Sequence, residues 1–131
     1  MRTRVLLPGL LALLVGCSAP AGSTASGAAT TSGAPAAGAI TVTVSDFMIE
    51  PNDFEATGPT VTVEATNDGP TPHNFSVRDA SGETVLATAV LSTGESETVS
   101  AELEPGEYTI FCSLAGDESL GMSGTLTVSA P

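Results

Sequence analysis

The chain has 131 residues, enough for one domain, and its 3 basic and 15 acidic residues give a formal net charge of −12. There is no Lys, and beyond Arg2 and Arg4 the only basic residue is Arg78. Nucleic acids and anionic lipid headgroups attract cationic surfaces, so both are poor partners for this chain. A basic protein partner or a high-salt habitat fits the negative charge better. Alternatively, the acidic residues serve only to keep an exported domain soluble.

The first 16 residues have the pattern of an export signal. Two arginines precede an apolar run over residues 5–15, which is too short to span a bilayer as a helix. The run ends in Leu-Val-Gly-Cys, with the thiol at Cys17, and this ending resembles the bacterial lipobox. The resemblance implies cleavage before Cys17 and lipidation of it, whereas an ordinary signal peptide is the alternative. We therefore expect a protein outside the cytoplasmic membrane, anchored by lipid on Cys17.

The remainder divides into a tether and a domain. Residues 17–38 are the lipidated Cys followed almost entirely by Ala, Gly, Ser, Thr and Pro, which predicts a flexible tether. Residues 39–131 contain about seven short segments of alternating apolar and polar residues, separated by turn residues: AITVTVSDF, TVTVEATN, HNFSVRD, ETVLATAVL, ESETVSAEL, EYTIFCSL and GTLTVSA. No helical stripe accompanies them, so the pattern predicts an all-β, antiparallel sandwich.

Soft donor residues are the main chemical signal. If Cys17 is lipidated, Cys112 has no disulfide partner, and a lone thiol in an oxidising compartment is either buried and inert or a metal ligand. His73, the only His, follows a Pro-rich turn, while Asp117 and Met122 share with Cys112 the loop between the last two predicted strands. Both loops can lie at one end of a sandwich, and their donors suit Cu or Zn. No nucleophile motif accompanies the His, so we do not expect a hydrolytic enzyme.

Three segments carry a resemblance to a known family. DFMIEPNDFEATGPTVTVEATNDG, PHNFSV and LEPGEYTIFCSLAGDESLGMSGTLTV occur in the same order as similar segments of the small blue copper proteins, the cupredoxin family that includes plastocyanin, azurin and halocyanin. The resemblance covers about Ile40 to Ser129 and implies a Greek-key sandwich holding one copper ion. By position it implies His73 as an imidazole ligand, Cys112 as the thiolate and Met122 as the axial thioether. Asn74 matches the residue whose hydrogen bonds join the two loops and steady the sulfur.

Asp117 stands where the resemblance calls for a second His, and three interpretations follow. Asp117, or its neighbour Glu118, ligates copper, which favours Cu(II), lowers the reduction potential and makes the site more tetragonal. Alternatively, a three-ligand His-Cys-Met site is open to an outside ligand and suits Cu(I) binding or hand-over. In the third, the domain is a metal-free binding or structural module of the envelope, with Met122 filling the core and Cys112 a small buried hydrophobe.

The sequence therefore predicts a lipid-anchored copper-binding protein that serves electron transfer or copper handling. Its acidic charge predicts a cationic redox protein or a copper-handling protein as the partner, with attraction that weakens as salt rises. The metal-free module is the alternative prediction.

Overall fold

The computed structural model describes residues 38–131, so the predicted signal peptide, Cys17 and nearly all of the predicted tether lie outside the described residues. The described part consists of nine strands and one short 3₁₀ helix, η1, between the last two strands. The strands are β1 (Ile40–Ser45), β2 (Met48–Glu50), β3 (Asp53–Thr57), β4 (Thr60–Asn67), β5 (Ser76–Arg78), β6 (Thr84–Ala87), β7 (Ser96–Glu102), β8 (Gly106–Phe111) and β9 (Ser123–Ser129), and η1 is Glu118–Leu120.

The strands form two packed sheets. The first has the order β2-β1-β4-β7 and the second the order β3-β9-β8-β5-β6. Most neighbouring strands are antiparallel, but β1 pairs with β4, and β3 with β9, in parallel. Within residues 38–131 we find no helix with the length and apolar character that a membrane span requires.

Alternating apolar residues on facing strands build the core between the sheets. Val42 and Val44 of β1 are fully buried, whereas Thr43 between them is only partly buried. Val61 and Val63 of β4 are likewise buried on either side of the partly buried Thr62. The second sheet contributes residues such as Ile110 of β8 and Leu126 of β9, which are also fully buried. Because side chains alternate across a strand, this period-two pattern is what places one face of each sheet in the core.

The prediction of an all-β sandwich is confirmed, and two of its details differ. The sequence indicated about seven strands, all antiparallel, whereas the structure adds β2 and β3 and contains two parallel pairs. Pro51 lies where both differences begin. It follows β2 directly and has no N–H to continue a ladder, so the chain leaves the first sheet, forms β3 in the second, and returns as β4 alongside β1.

Candidate metal centre

The loop between β8 and β9 folds back on itself by backbone hydrogen bonds. The N–H of Cys112, the residue after β8, donates to the carbonyl of Met122 at 3.1 Å, and the N–H of Met122 donates to the carbonyl of Asp117 at 3.1 Å. Gly121 follows η1 with φ of 119°, a left-handed conformation that ends the helix and that glycine adopts without strain. The loop thereby brings its three predicted ligands to one place.

A second loop, between β4 and β5, positions His73 beside it. Asn67 is fully buried, and its Nδ2 donates to the carbonyls of Thr71 and Leu91 at 2.7 and 2.8 Å. His73 and Leu91 exchange backbone hydrogen bonds of 3.1 and 2.7 Å, which make an isolated bridge. The imidazole is 3% exposed, so its ring is held inside the end of the sandwich.

Three of the predicted ligands meet in a compact cluster. Asp117 Oδ2 lies 3.1 Å from His73 Nδ1 and 3.3 Å from Cys112 Sγ, and one donor atom from each residue lies within 4.8 Å of the others. Two of the three side chains are buried and Asp117 is 18% exposed. An imidazole nitrogen, a cysteine sulfur and a carboxylate oxygen this close together are a donor set that fits a borderline metal ion such as copper.

Asn74 joins the two loops at the sulfur atom of Cys112. Its backbone N–H donates to Cys112 Sγ at 3.5 Å, and its Oδ1 accepts the backbone N–H of Ser113 at 2.8 Å. Its Nδ2 donates to Ser113 Oγ at 2.8 Å. The S–H hydrogen has two acceptors at 3.3 Å, Asn74 Oδ1 and Asp117 Oδ2. Burial raises the pKa of the Cys112 thiol, so a bound cation is what would stabilise the thiolate.

Met122 is fully buried within the hydrophobic core. Its backbone hydrogen bonds fix it next to Cys112 and Asp117, as described above. This placement agrees both with the predicted axial thioether and with the alternative of a residue that fills the core.

Glu118 points to a different partner from its neighbour Asp117. Its carboxylate forms a two-pronged ion pair with Arg78, in which Nη1 donates to Oε2 at 3.0 Å and Nη2 donates to Oε1. The Arg78 guanidinium also lies over the Phe111 ring, 4.5 Å from its centroid. The ion pair lowers the pKa of Glu118. Of the two carboxylates considered from the sequence, the structure therefore places Asp117 in the cluster and Glu118 outside it.

Asp46 and Thr71 contact the far side of the imidazole, and neither residue was predicted from the sequence. His73 Nε2 lies 2.8 Å from Asp46 Oδ1 and 3.0 Å from Thr71 Oγ1, and the Thr71 hydroxyl donates to the same carboxylate oxygen. Hydrogen bonds from Thr71 and then from His73 lower the pKa of Asp46. Asp46 stands at the end of the first predicted strand, where a turn residue is ordinary, so the sequence contained no signal for this contact.

The comparisons with known proteins agree with the fold. A family model described as "Cupredoxin-like domain" matches residues 10–128. Auracyanin from the photosynthetic bacterium Roseiflexus castenholzii superposes with a TM-score of 0.64 at 20% identity, over 72% of this chain and 99% of that one. The azurin Az-iso2 of Methylomonas sp. strain J gives 0.63 at 21% identity over 72% and 99%, and auracyanin B gives 0.64 at 20% over 70% and 88%. Comparison with curated protein sequences gives no match.

Proposed function

The chain belongs to the cupredoxin-like domain family, and from that premise we propose that it binds one copper ion and serves electron transfer or copper handling. The observation that carries the proposal is the cluster of His73, Cys112 and Asp117, in which one possible ligand atom of each residue lies within 4.8 Å of the others. Met122, buried next to Cys112 and Asp117, would supply a thioether sulfur to the ion. Copper in such a site supplies one-electron exchange between Cu(I) and Cu(II).

Each residue of the cluster has a distinct part in holding the ion. His73 offers a nitrogen lone pair, and Cys112 offers a thiolate whose sulfur Asn74 steadies through its backbone N–H. Asp117 offers a hard, negatively charged donor in place of a second imidazole. Because a carboxylate stabilises Cu(II) more than Cu(I), we expect a lower reduction potential than a site with two imidazoles would have.

The position of Asp117 favours four ligands over a three-ligand site left open to an outside ligand. Its Oδ2 is at hydrogen-bond distance from both the imidazole and the thiol, so no movement of the loop is needed to bring the carboxylate to the ion. An open site for hand-over of Cu(I) would need Asp117 to turn outward. We therefore infer that Asp117 is a ligand.

A metal-free binding or structural module is the second candidate, and one observation favours it. Among the described residues, every buried side-chain nitrogen and oxygen has a hydrogen-bond partner without any ion. Copper retention separates the two candidates, because the module would not hold the ion.

The proposed setting is the outer side of the cytoplasmic membrane. The lipobox-like ending at Cys17 supports a lipid anchor, and the excess of 15 acidic over 3 basic residues supports a cationic redox or copper-handling partner. Arg78, the one basic residue of the described part, is already paired with Glu118. The lack of a nucleophile motif beside the single His supports a binding or electron-transfer role and not a hydrolytic one.

Copper retention by two matched carboxylate variants tests the proposal. The protein is loaded with Cu(II) or with Cu(I), freed of excess metal, and its copper content and affinity are measured in both oxidation states. We expect one copper per chain, a loss of Cu(II) affinity of at least about tenfold in Asp117→Ala, and no such loss in Glu118→Gln. Failure of the parent protein to retain either ion rejects the proposal. Equal affinity of Asp117→Ala and the parent rejects the carboxylate ligand alone.

Restoring the missing imidazole tests whether the rest of the site is intact. We expect Asp117→His, loaded with Cu(II), to have the intense blue absorption of a thiolate–copper site, because the new imidazole would join the proposed ligands His73, Cys112 and Met122. A colourless variant that nevertheless folds would contradict the assignment of His73, Cys112 and Met122 as a ligand set.

A further inference from the structure

The turn between β1 and β2 places a carboxylate behind the imidazole of the candidate metal centre. β1 and β2 pair with Ser45 opposite Met48, so Asp46 and Phe47 form a two-residue turn. Asp46 Oδ1 lies 2.8 Å from His73 Nε2, on the opposite side of the ring from Asp117. Asp46 is 35% exposed, whereas His73 is 3% exposed, so the carboxylate closes the ring off at the surface.

The hydrogen bonds around Asp46 determine where the imidazole hydrogen lies. An ionised carboxylate only accepts, and its Oδ1 already receives the hydrogen of the Thr71 hydroxyl. Nε2 must carry a hydrogen to bond with Asp46, and Nδ1 must carry one to bond with Asp117. The Asp46 contact is the shorter, 2.8 Å against 3.1 Å, and Asp117 Oδ2 can accept the Cys112 S–H instead, so the hydrogen belongs on Nε2. In a neutral imidazole the other nitrogen is then an acceptor, so Nδ1, which lies 3.1 Å from Asp117 Oδ2, carries its lone pair on the side of the cluster.

We propose that Asp46 is a positioning residue that fixes His73 as the Nε2–H tautomer and so directs the Nδ1 lone pair into the cluster with Cys112 and Asp117. A carboxylate behind a metal-binding imidazole also increases the basicity of the ligand. The consequence for copper rests on the proposed function, whereas the tautomer is a property of the metal-free protein and does not.

The fold holds Asp46 in position from two sides. A Cβ added to Gly69 would lie 3.0 Å from the Asp46 nitrogen and from Ser45 Cα, so the loop before His73 packs directly against the turn. A Cβ added to Gly121 would lie 3.3 Å from the Phe47 carbonyl oxygen, so the loop of the candidate ligands packs against it as well. Phe47 itself has φ of 64°, an uncommon conformation for a bulky residue that packing must maintain.

Removal of Asp46 should reverse the tautomer, because Asp117 competes for the hydrogen. Without Asp46, Nε2 retains only the neutral Thr71 hydroxyl as an acceptor, at 3.0 Å. Nδ1 faces the Asp117 carboxylate at 3.1 Å. A hydrogen bond to a charged acceptor is about twice as strong as one between neutral groups, so the hydrogen should move to Nδ1. We expect the ratio of Nε2–H to Nδ1–H to fall at least about tenfold in Asp46→Ala.

Nitrogen NMR of the metal-free protein tests the tautomer directly, since His73 is the only His of the chain and its ring signals need no assignment. The two ring ¹⁵N shifts are recorded above the pH at which they stop changing, where the imidazole is neutral. We expect Nε2–H in the parent and mainly Nδ1–H in Asp46→Ala. Asp53→Ala, which removes an exposed carboxylate that makes no side-chain hydrogen bond within residues 38–131, should keep the parent ratio.

Dispersed backbone amide signals verify that each variant is folded. If Asp46→Ala does not fold, the isosteric Asp46→Asn replaces it, since it keeps an oxygen acceptor for Thr71, loses the negative charge and has an NH2 donor in place of the second oxygen. A shift towards Nδ1–H is expected there too. Nδ1–H in the parent protein, or the parent ratio in a folded Asp46 variant, overturns the proposal.

Copper binding by the same variants tests the consequence. Because Nδ1 must lose its hydrogen before it can bind a metal, we expect Cu(II) affinity to fall about tenfold or more in Asp46→Ala and to remain unchanged in Asp53→Ala. A reversed tautomer with unchanged affinity overturns the link between Asp46 and the metal. A parent protein that binds no copper overturns the proposed function, while the NMR result still decides the role of Asp46.

Discussion

Gly69→Ala perturbs the packing that holds Asp46 against His73. A methyl group at this position would lie 3.0 Å from two backbone atoms of the β1–β2 turn and 3.3 Å from Asn67 Oδ1. These atoms belong to a strand end and to a buried side chain, so they can move only if the turn shifts by some tenths of an ångström. That shift moves the Asp46 carboxylate relative to the imidazole.

The expected magnitude follows from two opposing effects. Overpacking lowers the free energy of unfolding by about 1–3 kcal/mol. Replacing Gly by Ala raises it by about 0.4–1 kcal/mol, because the unfolded chain has less conformational entropy. We expect a net loss of about 1–2 kcal/mol, which lowers the melting temperature of a domain of this size by roughly 5–15 °C. The assay is thermal unfolding followed by circular dichroism, combined with the ¹⁵N shifts of the His73 ring.

Gly106→Ala is the matched control for this experiment. A methyl group there meets only the edge of the Tyr108 ring at 3.9 Å, an ordinary contact, so the variant should melt within a few degrees of the parent. If Gly69→Ala is as stable as Gly106→Ala and leaves the His73 ring shifts unchanged, the reasoning about the turn is refuted.

Three further predictions concern stability. Gly124→Ala should lower the free energy of unfolding by about 2 kcal/mol or more, because its methyl group would lie 1.8 Å from the Asn52 carbonyl oxygen. A melting temperature equal to that of the parent would contradict this close approach. Phe75→Ala should lower the free energy of unfolding by about 3–5 kcal/mol, measured by denaturant titration, because Phe75 is fully buried. Arg78 lowers the pKa of Glu118. The ion pair therefore contributes to the free energy of unfolding at pH values above the ordinary carboxyl pKa, and this contribution disappears as the pH falls through the lowered pKa. Glu118→Gln should therefore cost about 0.2–1 kcal/mol at neutral pH and nothing in strong acid, and an equal loss at both pH values would contradict the pair.

The fold could be predicted because the long strands carry their own signal. Alternating valines in β1 and β4 indicate strands with one buried face, and Gly- or Pro-containing turns separate them. β2 has three residues and β3 has five, and Pro51 lies next to β2, so neither gives a pattern long enough to recognise. The parallel pairing of β1 with β4 depends on how the chain crosses between the sheets, which local sequence does not encode.

The candidate site could be predicted in part for a similar reason. His73, Cys112 and Asp117 were recognisable by residue type and by their spacing relative to a known family, and the structure brings them together. The Asp46–His73 and Arg78–Glu118 contacts join residues 27 and 40 positions apart in the chain. They depend on strand register and loop packing, and ordinary acidic residues at turns carry no mark that distinguishes them.

The absorption spectrum of the Cu(II)-loaded protein tests the central claim most directly, because an intense thiolate-to-copper band requires the Cys112 sulfur to be bound to the ion. We predict one such band with one copper per chain, and its disappearance in Cys112→Ser. A loaded protein without the band, or a band that persists in Cys112→Ser, would contradict copper ligation in the cluster of His73, Cys112 and Asp117.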